Sequence, residues 1–159
     1  MKEKRILFWI LLLMFVCPFT EAAFSAEKEK EFEKIKKMDL KELTSDAEPV
    51  LKKKYSGEDC EKYKFPKYVN IHPAVTLGYK IAVKEPQLLA KFPCYCFCEE
   101  MGHKNLAYCF LKKGVLGKFD EHASTCNICI NQAIRAFLWN ELGVPEEDML
   151  KAFKEIHGK

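Results

Sequence analysis

The feature of this sequence that most constrains its fold is a dense group of metal-ligating side chains in the second half of the chain. Six cysteines and two histidines fall within 36 residues. So many thiols in one segment need a chemical partner, which is either another thiol in a disulfide or a metal ion. The eight residues are Cys94, Cys96, Cys98, His103, Cys109, His122, Cys126 and Cys129.

The spacing of the first three cysteines predicts an irregular backbone. Cys94, Cys96 and Cys98 alternate with Tyr95 and Phe97. A regular helix would point Cys96 away from the other two sulfurs, whereas an extended or turning chain can present all three together. We therefore expect residues 93–124, which also contain three glycines, to form a cysteine-rich loop rather than a helix.

The last two cysteines are predicted to lie at the start of a helix. Cys126 and Cys129 are three residues apart, so in a first helical turn they share a face. The free N–H groups of that turn favour the thiolate form. We expect Ser124 or Thr125 to cap this helix and Gly143 to end it.

Eight soft and borderline donors suit zinc or copper(I). Zinc usually takes four Cys or His ligands, so eight donors could form two Cys₃His sites. Thiolates also suit copper(I), and six of them could hold several copper ions in one cluster. An iron–sulfur cluster fits less well, because four cysteines would suffice.

The N-terminus predicts an export signal over residues 1–26. Basic residues at positions 2, 4 and 5 precede an apolar run from Ile6 to Val16, which is too short to span a bilayer and ends at Cys17 and Pro18. Lipid attachment at Cys17 is less favoured, because no small residue precedes that cysteine. We expect a protein that is exported to the periplasm, the cell surface or the medium, with the membrane contacted only through the signal or such an anchor.

Composition limits the remaining function classes. The 159 residues carry 26 Lys and Arg against 23 Asp and Glu, and 48% of residues are apolar, so the chain can bury a core. Because basic and acidic residues alternate, the sequence does not indicate nucleic-acid binding. It contains no phosphate-binding glycine loop, nucleophile elbow or His-Glu-x-x-His motif, and we predict a binding protein rather than an enzyme.

The rest of the sequence predicts a mainly α protein. We interpret residues 27–72 as a charged helix to about residue 43 followed by a linker that contains one short helix, because Pro49, Gly57 and Pro66 interrupt the pattern. Residues 73–159 then form a small helical domain, in which the cysteine-rich loop packs on the start of a C-terminal pair of helices. The second helix of that pair begins after Pro145.

The ordered motifs resemble a known family. Pro93-Cys94-Tyr95-Cys96-Phe97-Cys98, then Gly102-His103-Lys104, Asp120-Glu121-His122 and the Cys126/Cys129 pair, resemble the bacterial exported or lipoprotein family named for its PCYCGC motif. Phe97 stands where the motif has glycine. The resemblance implies export and a conserved cysteine site, but no biochemical function.

Two other interpretations of the cysteines stay open. Three disulfides could staple an exported interaction module, although three cysteines within five residues would each need a distant partner. A thiol–disulfide redox protein would use Cys126 and Cys129, but the βαβ context of such proteins is missing. Cys60 makes the number of cysteines after the signal odd, and we interpret it as an accessory thiol. The predicted partners are thus a metal ion and an exported protein.

Overall fold

The computed structural model describes residues 18–58 and 61–158, with side chains from residue 26 onward except that of Glu61. Cys17 and Cys60 therefore lie outside the described residues, as does most of the predicted signal. Within the described part of the chain, the protein is helical, and no helix is long and apolar enough to cross a membrane. The chain divides into two units, residues 1–34 and residues 35–159.

Seven α-helices run through the described residues. Five 3₁₀ helices connect them, at Glu61–Tyr63, Lys67–Asn70, Cys98–Met101, Leu106–Cys109 and Lys112–Gly114. The α-helices are α1 (Pro18–Lys37), α2 (Leu40–Lys54), α3 (Pro73–Lys84), α4 (Pro86–Ala90), α5 (His122–Thr125), α6 (Asn127–Leu142) and α7 (Glu146–His157).

The first charged helix ends earlier than predicted. Asp39 caps α2 with its side chain, and Glu42 reaches back to the Asp39 backbone N–H, which forms a capping box. This motif stops α1 at Lys37 and starts a second helix at Leu40.

The segment that we interpreted as a linker contains most of α2. Leu43, Ala47 and Leu51, four residues apart, are all buried and form one face of this helix. Pro49 lies within the helix on its exposed side. Burial of the apolar face offsets the free energy that this proline costs the helix. The second compact unit thus includes α2 and begins at residue 35.

The core of this unit lies between α2, α3 and α6, with α7 against the end of α6. Tyr79, Trp139 and Phe153 are fully buried, and the rings of Trp139 and Phe153 lie 5.1 Å apart. Close packing of α3 on α6 depends on Gly78, because a Cβ there would lie 2.8 Å from a methyl group of Ile130. These helices form a scaffold for the segment between α4 and α6.

That segment includes residues 93–124, the cysteine-rich loop that the sequence predicts. It contains three 3₁₀ turns, the single turn α5 and one isolated antiparallel bridge between Leu111 and Phe119. Backbone hydrogen bonds join its parts, including one from Leu106 N–H to Phe92 C=O and one from Asp120 N–H to Phe110 C=O. The predicted mainly α class, with this loop on the start of the C-terminal helices, is confirmed.

Candidate metal centre

The loop from Cys94 to Cys98 turns sharply at Phe97. Phe97 adopts a left-handed conformation with φ of 60°, and the 3₁₀ helix Cys98–Met101 follows directly. The turn at Tyr95 and Cys96, just before Phe97, brings the Sγ atoms of Cys94 and Cys96 to 3.1 Å from each other. The predicted absence of a regular helix here is confirmed. The glycine of the motif would adopt this conformation without steric cost, whereas Phe97 does so with its ring 72% exposed.

The remaining donors come from the segments that follow. His103 comes after Gly102, whose positive φ ends the 3₁₀ helix Cys98–Met101, and Cys109 ends the 3₁₀ helix Leu106–Cys109. His122 begins α5, while Cys126 and Cys129 lie at the start of α6.

The predicted cap of α6 is wrong. Cys126 occupies the N-cap position, one or two residues after the proposed Ser124 and Thr125. The hydroxyl groups of those two residues instead donate to the carbonyls of Glu121 and His122, within the preceding turn. Cys126 at the N-cap and Cys129 three residues later still meet across the first turn of α6, as the spacing predicts, and their sulfur atoms lie within 4.8 Å of each other.

The structure brings all eight predicted donors together in three overlapping groups. Within each group, the ligating atoms lie within 4.8 Å of one another. We call them the sulfur group, the helix group and the histidine group. They consist respectively of Cys94, Cys96, Cys98 and Cys109; of Cys96, His122, Cys126 and Cys129; and of Cys98, His103, Cys109 and His122.

The donor atoms are almost in contact. The Sγ atom of Cys129 lies 3.4 Å from that of Cys94 and 3.6 Å from that of Cys96, and Nε2 of His122 lies 3.2 Å from the Cys96 sulfur. Sulfurs around a tetrahedral zinc ion, with bonds of about 2.3 Å, are separated by roughly 3.8 Å. An opening of a few tenths of an ångström would therefore fit an ion.

The site has a buried side and a half-exposed side. Cys98, Cys109 and Cys129 are fully buried and Cys94 is nearly so. The half-buried donors are Cys96, Cys126 and the two histidines. Ions on the first side would be shielded from solvent, while those on the second could exchange ligands.

Two side chains that sequence reasoning missed hold the loop in place. The buried amide of Gln132 accepts from Tyr95 N–H at 3.0 Å and donates to Pro93 C=O at 3.1 Å, and so ties the first cysteines to α6. Asp120 accepts from His122 N–H at 3.0 Å. Gln132 lies three residues after Cys129 on the same helix, and that spacing is the signal by which it could have been found.

The environment of His103 leaves one ring nitrogen free for ligation. Its Nε2 lies 3.8 Å from Asp120 Oδ1, whereas its buried Nδ1 has no hydrogen-bond partner among the described residues. A buried polar atom without a partner is costly, and a metal ion would satisfy it. The rings of His103 and His122 have centroids 5.1 Å apart.

Hydrogen bonds and burial shift the pKa values of the clustered thiols in opposite directions. Hydrogen bonds with Cys109 and Cys129 lower the pKa of Cys94 to about 2, and that with Cys129 lowers the pKa of Cys126 to about 5. The hydrogen bonds of Cys129 with Cys109, Cys126 and Cys94 raise its own pKa, and burial raises that of Cys96. Because metals bind thiolates, Cys94 and Cys126 are closest to the ligating form.

The six described cysteines form no disulfide with one another. Their shortest separation, 3.1 Å, is well beyond the roughly 2.05 Å of a disulfide bond. The disulfide-stapled alternative thus has no counterpart among the described residues.

The other two histidines of the chain lie outside the three groups. His72 caps α3 through Nδ1, and His157 stacks on Phe153.

The chain was compared with protein families, curated proteins and solved structures. The model of the family described as "protein of unknown function with PCYCGC motif" matches residues 6–158. Neither the curated proteins nor the solved structures gave a match. The match begins within the apolar N-terminal run, so it covers more of the chain than the cysteine-rich domain.

Proposed function

The chain belongs to the PCYCGC-motif family, whose function is unknown, and from the geometry of its site we propose that it binds soft metal ions, zinc or copper(I). The observation that carries this proposal is the convergence of six cysteines and two histidines in three groups whose ligating atoms lie within 4.8 Å. Thiolate and imidazole are the ligands that these ions prefer.

Burial and hydrogen bonding support ligation over an incidental cluster of thiols. Cys98, Cys109 and Cys129 are fully buried beside one another, although each offers only a weak hydrogen-bond donor. The Nδ1 atom of His103 is buried without a hydrogen-bond partner among the described residues, and binding of a metal ion would offset the free-energy cost of its desolvation. Gln132 and Asp120 hold the surrounding backbone as second-layer residues hold metal ligands.

We propose further that the protein holds exchangeable ions outside the cytosol and does not catalyse a reaction. The N-terminal signal pattern supports export. The half-exposed Cys96 and Cys126 support exchange, because an incoming chelator or partner protein can reach them without unfolding the scaffold. A purely structural site is normally closed.

The test measures metal and thiols on one sample. The chain is purified anaerobically, and its zinc and copper contents are determined together with its free thiols before and after chelation. We expect stoichiometric metal and thiols that react only once it is removed. A variant with all six clustered cysteines changed to serine is the control.

Three other outcomes of these measurements would each support a different interpretation of the cysteines. Metal-free protein with about six blocked thiols, prepared from an oxidising compartment, would establish a disulfide-stapled module. Exchange of the Cys126 and Cys129 thiols with a disulfide substrate, without bound metal, would establish a redox protein. Bound metal whose removal unfolds α3 and α6 would establish a structural ion rather than a cargo.

A further inference from the structure

The three donor groups cannot act as separate metal sites. They offer three sets of four donors from only eight residues, so four residues are shared. Cys96 belongs to both the sulfur and the helix groups, and Cys98 and Cys109 belong to both the sulfur and the histidine groups. The fourth shared residue, His122, joins the helix and histidine groups. Any two groups overlap, and two independent four-ligand sites cannot both be chosen from them.

The chemistry of the shared residues decides how sharing can work. A thiolate sulfur has several lone pairs and can bridge two ions, whereas each imidazole nitrogen has one and binds one ion. Nε2 of His122 lies 3.2 Å from the Cys96 sulfur, which assigns His122 to the helix group. The three bridging residues are then all cysteines, and the histidine group keeps Cys98, His103 and Cys109 as protein ligands.

We propose that the site binds three zinc ions as one thiolate-bridged cluster; this inference rests on the proposed function. The ion of the sulfur group is the middle one. Cys96 bridges it to the ion of the helix group, and Cys98 and Cys109 bridge it to the ion of the histidine group.

Charge balance favours zinc over copper(I) in this arrangement. Six thiolates and two neutral imidazoles carry six negative charges, which three divalent ions neutralise. Three monovalent copper ions would leave a net charge of −3 around the fully buried Cys98 and Cys109. Uncompensated charge is costly in such surroundings. The four donors of the sulfur group and the four of the helix group also match the coordination number of zinc.

Titration of the chelator-treated full chain with zinc sulfate, followed by native mass spectrometry, tests the number of ions. We expect an endpoint of three zinc ions per chain. An endpoint of one or two would overturn the cluster but not the proposed function, and so would saturation with copper(I) but not with zinc. Binding of neither metal would overturn both.

Substitution with ¹¹³Cd tests the bridges directly. We expect three cadmium resonances, with scalar coupling from the middle ion to each of the other two, because the bridging sulfurs connect them. Uncoupled resonances would overturn the proposal whatever their number. This measurement uses the unmodified chain, so it does not depend on the folding of a variant.

Two matched variants test the role of Cys96. Cys96 and Cys126 are both half-buried members of the helix group, but only Cys96 is shared. We expect Cys96→Ser to shift two of the three resonances and to remove the coupling between them. Cys126→Ser should shift one resonance and keep every coupling. Equal effects of the two substitutions, in variants with unchanged helical circular dichroism, would contradict the bridging role.

Discussion

The helical scaffold and the cysteine-rich loop are held together by different means. The scaffold buries large rings, with Tyr79, Trp139 and Phe153 fully enclosed, and regular helices satisfy most of its backbone. The loop buries sulfur together with apolar side chains such as Phe110 and Leu111, and its backbone consists mainly of short 3₁₀ turns. Apolar burial on regular helices therefore stabilises the scaffold, whereas the loop also relies on side-chain hydrogen bonds to the helices and on contacts among its cysteines.

Trp139→Ala should have the largest effect on stability and should act on the scaffold. It removes a fully buried indole that contacts Phe153, and such truncations cost about 3–5 kcal/mol. We expect a similar loss in urea unfolding with and without chelator. The control Ile71→Ala, at a side chain that is 61% exposed, should change the free energy of unfolding by less than about 0.5 kcal/mol. If Trp139→Ala lowered the free energy of unfolding only when metal is bound, the scaffold would not be stabilised independently of the loop.

Loss of metal ligands should affect mainly the loop. The double change Cys126→Ser with Cys129→Ser removes two donors of the helix group and should release bound metal. Amide exchange in residues 93–126 should then accelerate at least about tenfold, while the slowest amides of α3 keep their rates. Cys60→Ser, which changes a cysteine outside the eight donors, is the control. Equal acceleration in loop and scaffold would show that the two regions form one cooperative unit.

Gln132→Ala tests one of the side-chain anchors between the two regions. The substitution leaves Pro93 C=O and Tyr95 N–H without their partner, and unsatisfied buried groups cost about 1–3 kcal/mol. We expect lower stability and weaker metal binding, measured by urea unfolding and competition with a chelator. The exposed Gln87→Ala is the matched control. Unchanged metal affinity with reduced stability would restrict Gln132 to a structural role.

A smaller and opposite effect is expected at Phe97. Phe97→Gly relieves the left-handed backbone, and the gain is partly offset by the greater freedom of glycine in the unfolded chain, so we expect stabilisation of about 0.5 kcal/mol. Phe97→Ala keeps the backbone cost but removes the exposed ring. If alanine stabilises as much as glycine does, the ring and not the backbone is the cause.

The smallest effect concerns pH and lies entirely in the scaffold. Burial and a hydrogen bond to Glu85 raise the pKa of Tyr55 from 10.0 to about 12. Because the folded state prefers the protonated phenol, this contribution is complete below pH 10 and is lost between pH 10 and 12. The stability difference between the wild type and Tyr55→Phe should therefore narrow over that range in urea unfolding. A constant difference would contradict the assignment.

The sequence predicts which cysteine and histidine side chains meet, because so many residues of these two types lie within one short segment. All eight predicted residues meet, and the alternation of Cys94, Cys96 and Cys98 correctly excludes a helix there. The class, the end of α6 and the start of α7 also follow from local signals such as Gly143 and Pro145.

What the sequence did not predict depends on tertiary contacts. The start and length of α2 were not predicted, because Pro49 outweighed the buried face formed by Leu43 and Leu51. That face has meaning only when α3 and α6 pack against it. The sharing of Cys96 between two groups also depends on distances that spacing along the chain does not fix.

The Gln132 anchor also bears on the order in which the chain folds. Gln132 bonds to residues 37 and 39 positions earlier, so the contact forms only after a long loop has closed. Docking of α3 on α6, which approach each other closely at Gly78, brings the two ends of that loop together. We expect this docking to precede the ordering of the loop. We therefore expect the donors to assemble late in folding, on helices already in place. Under the proposed function, metal would then enter a gathered set of ligands, and its arrival and departure would leave the docked helices in place.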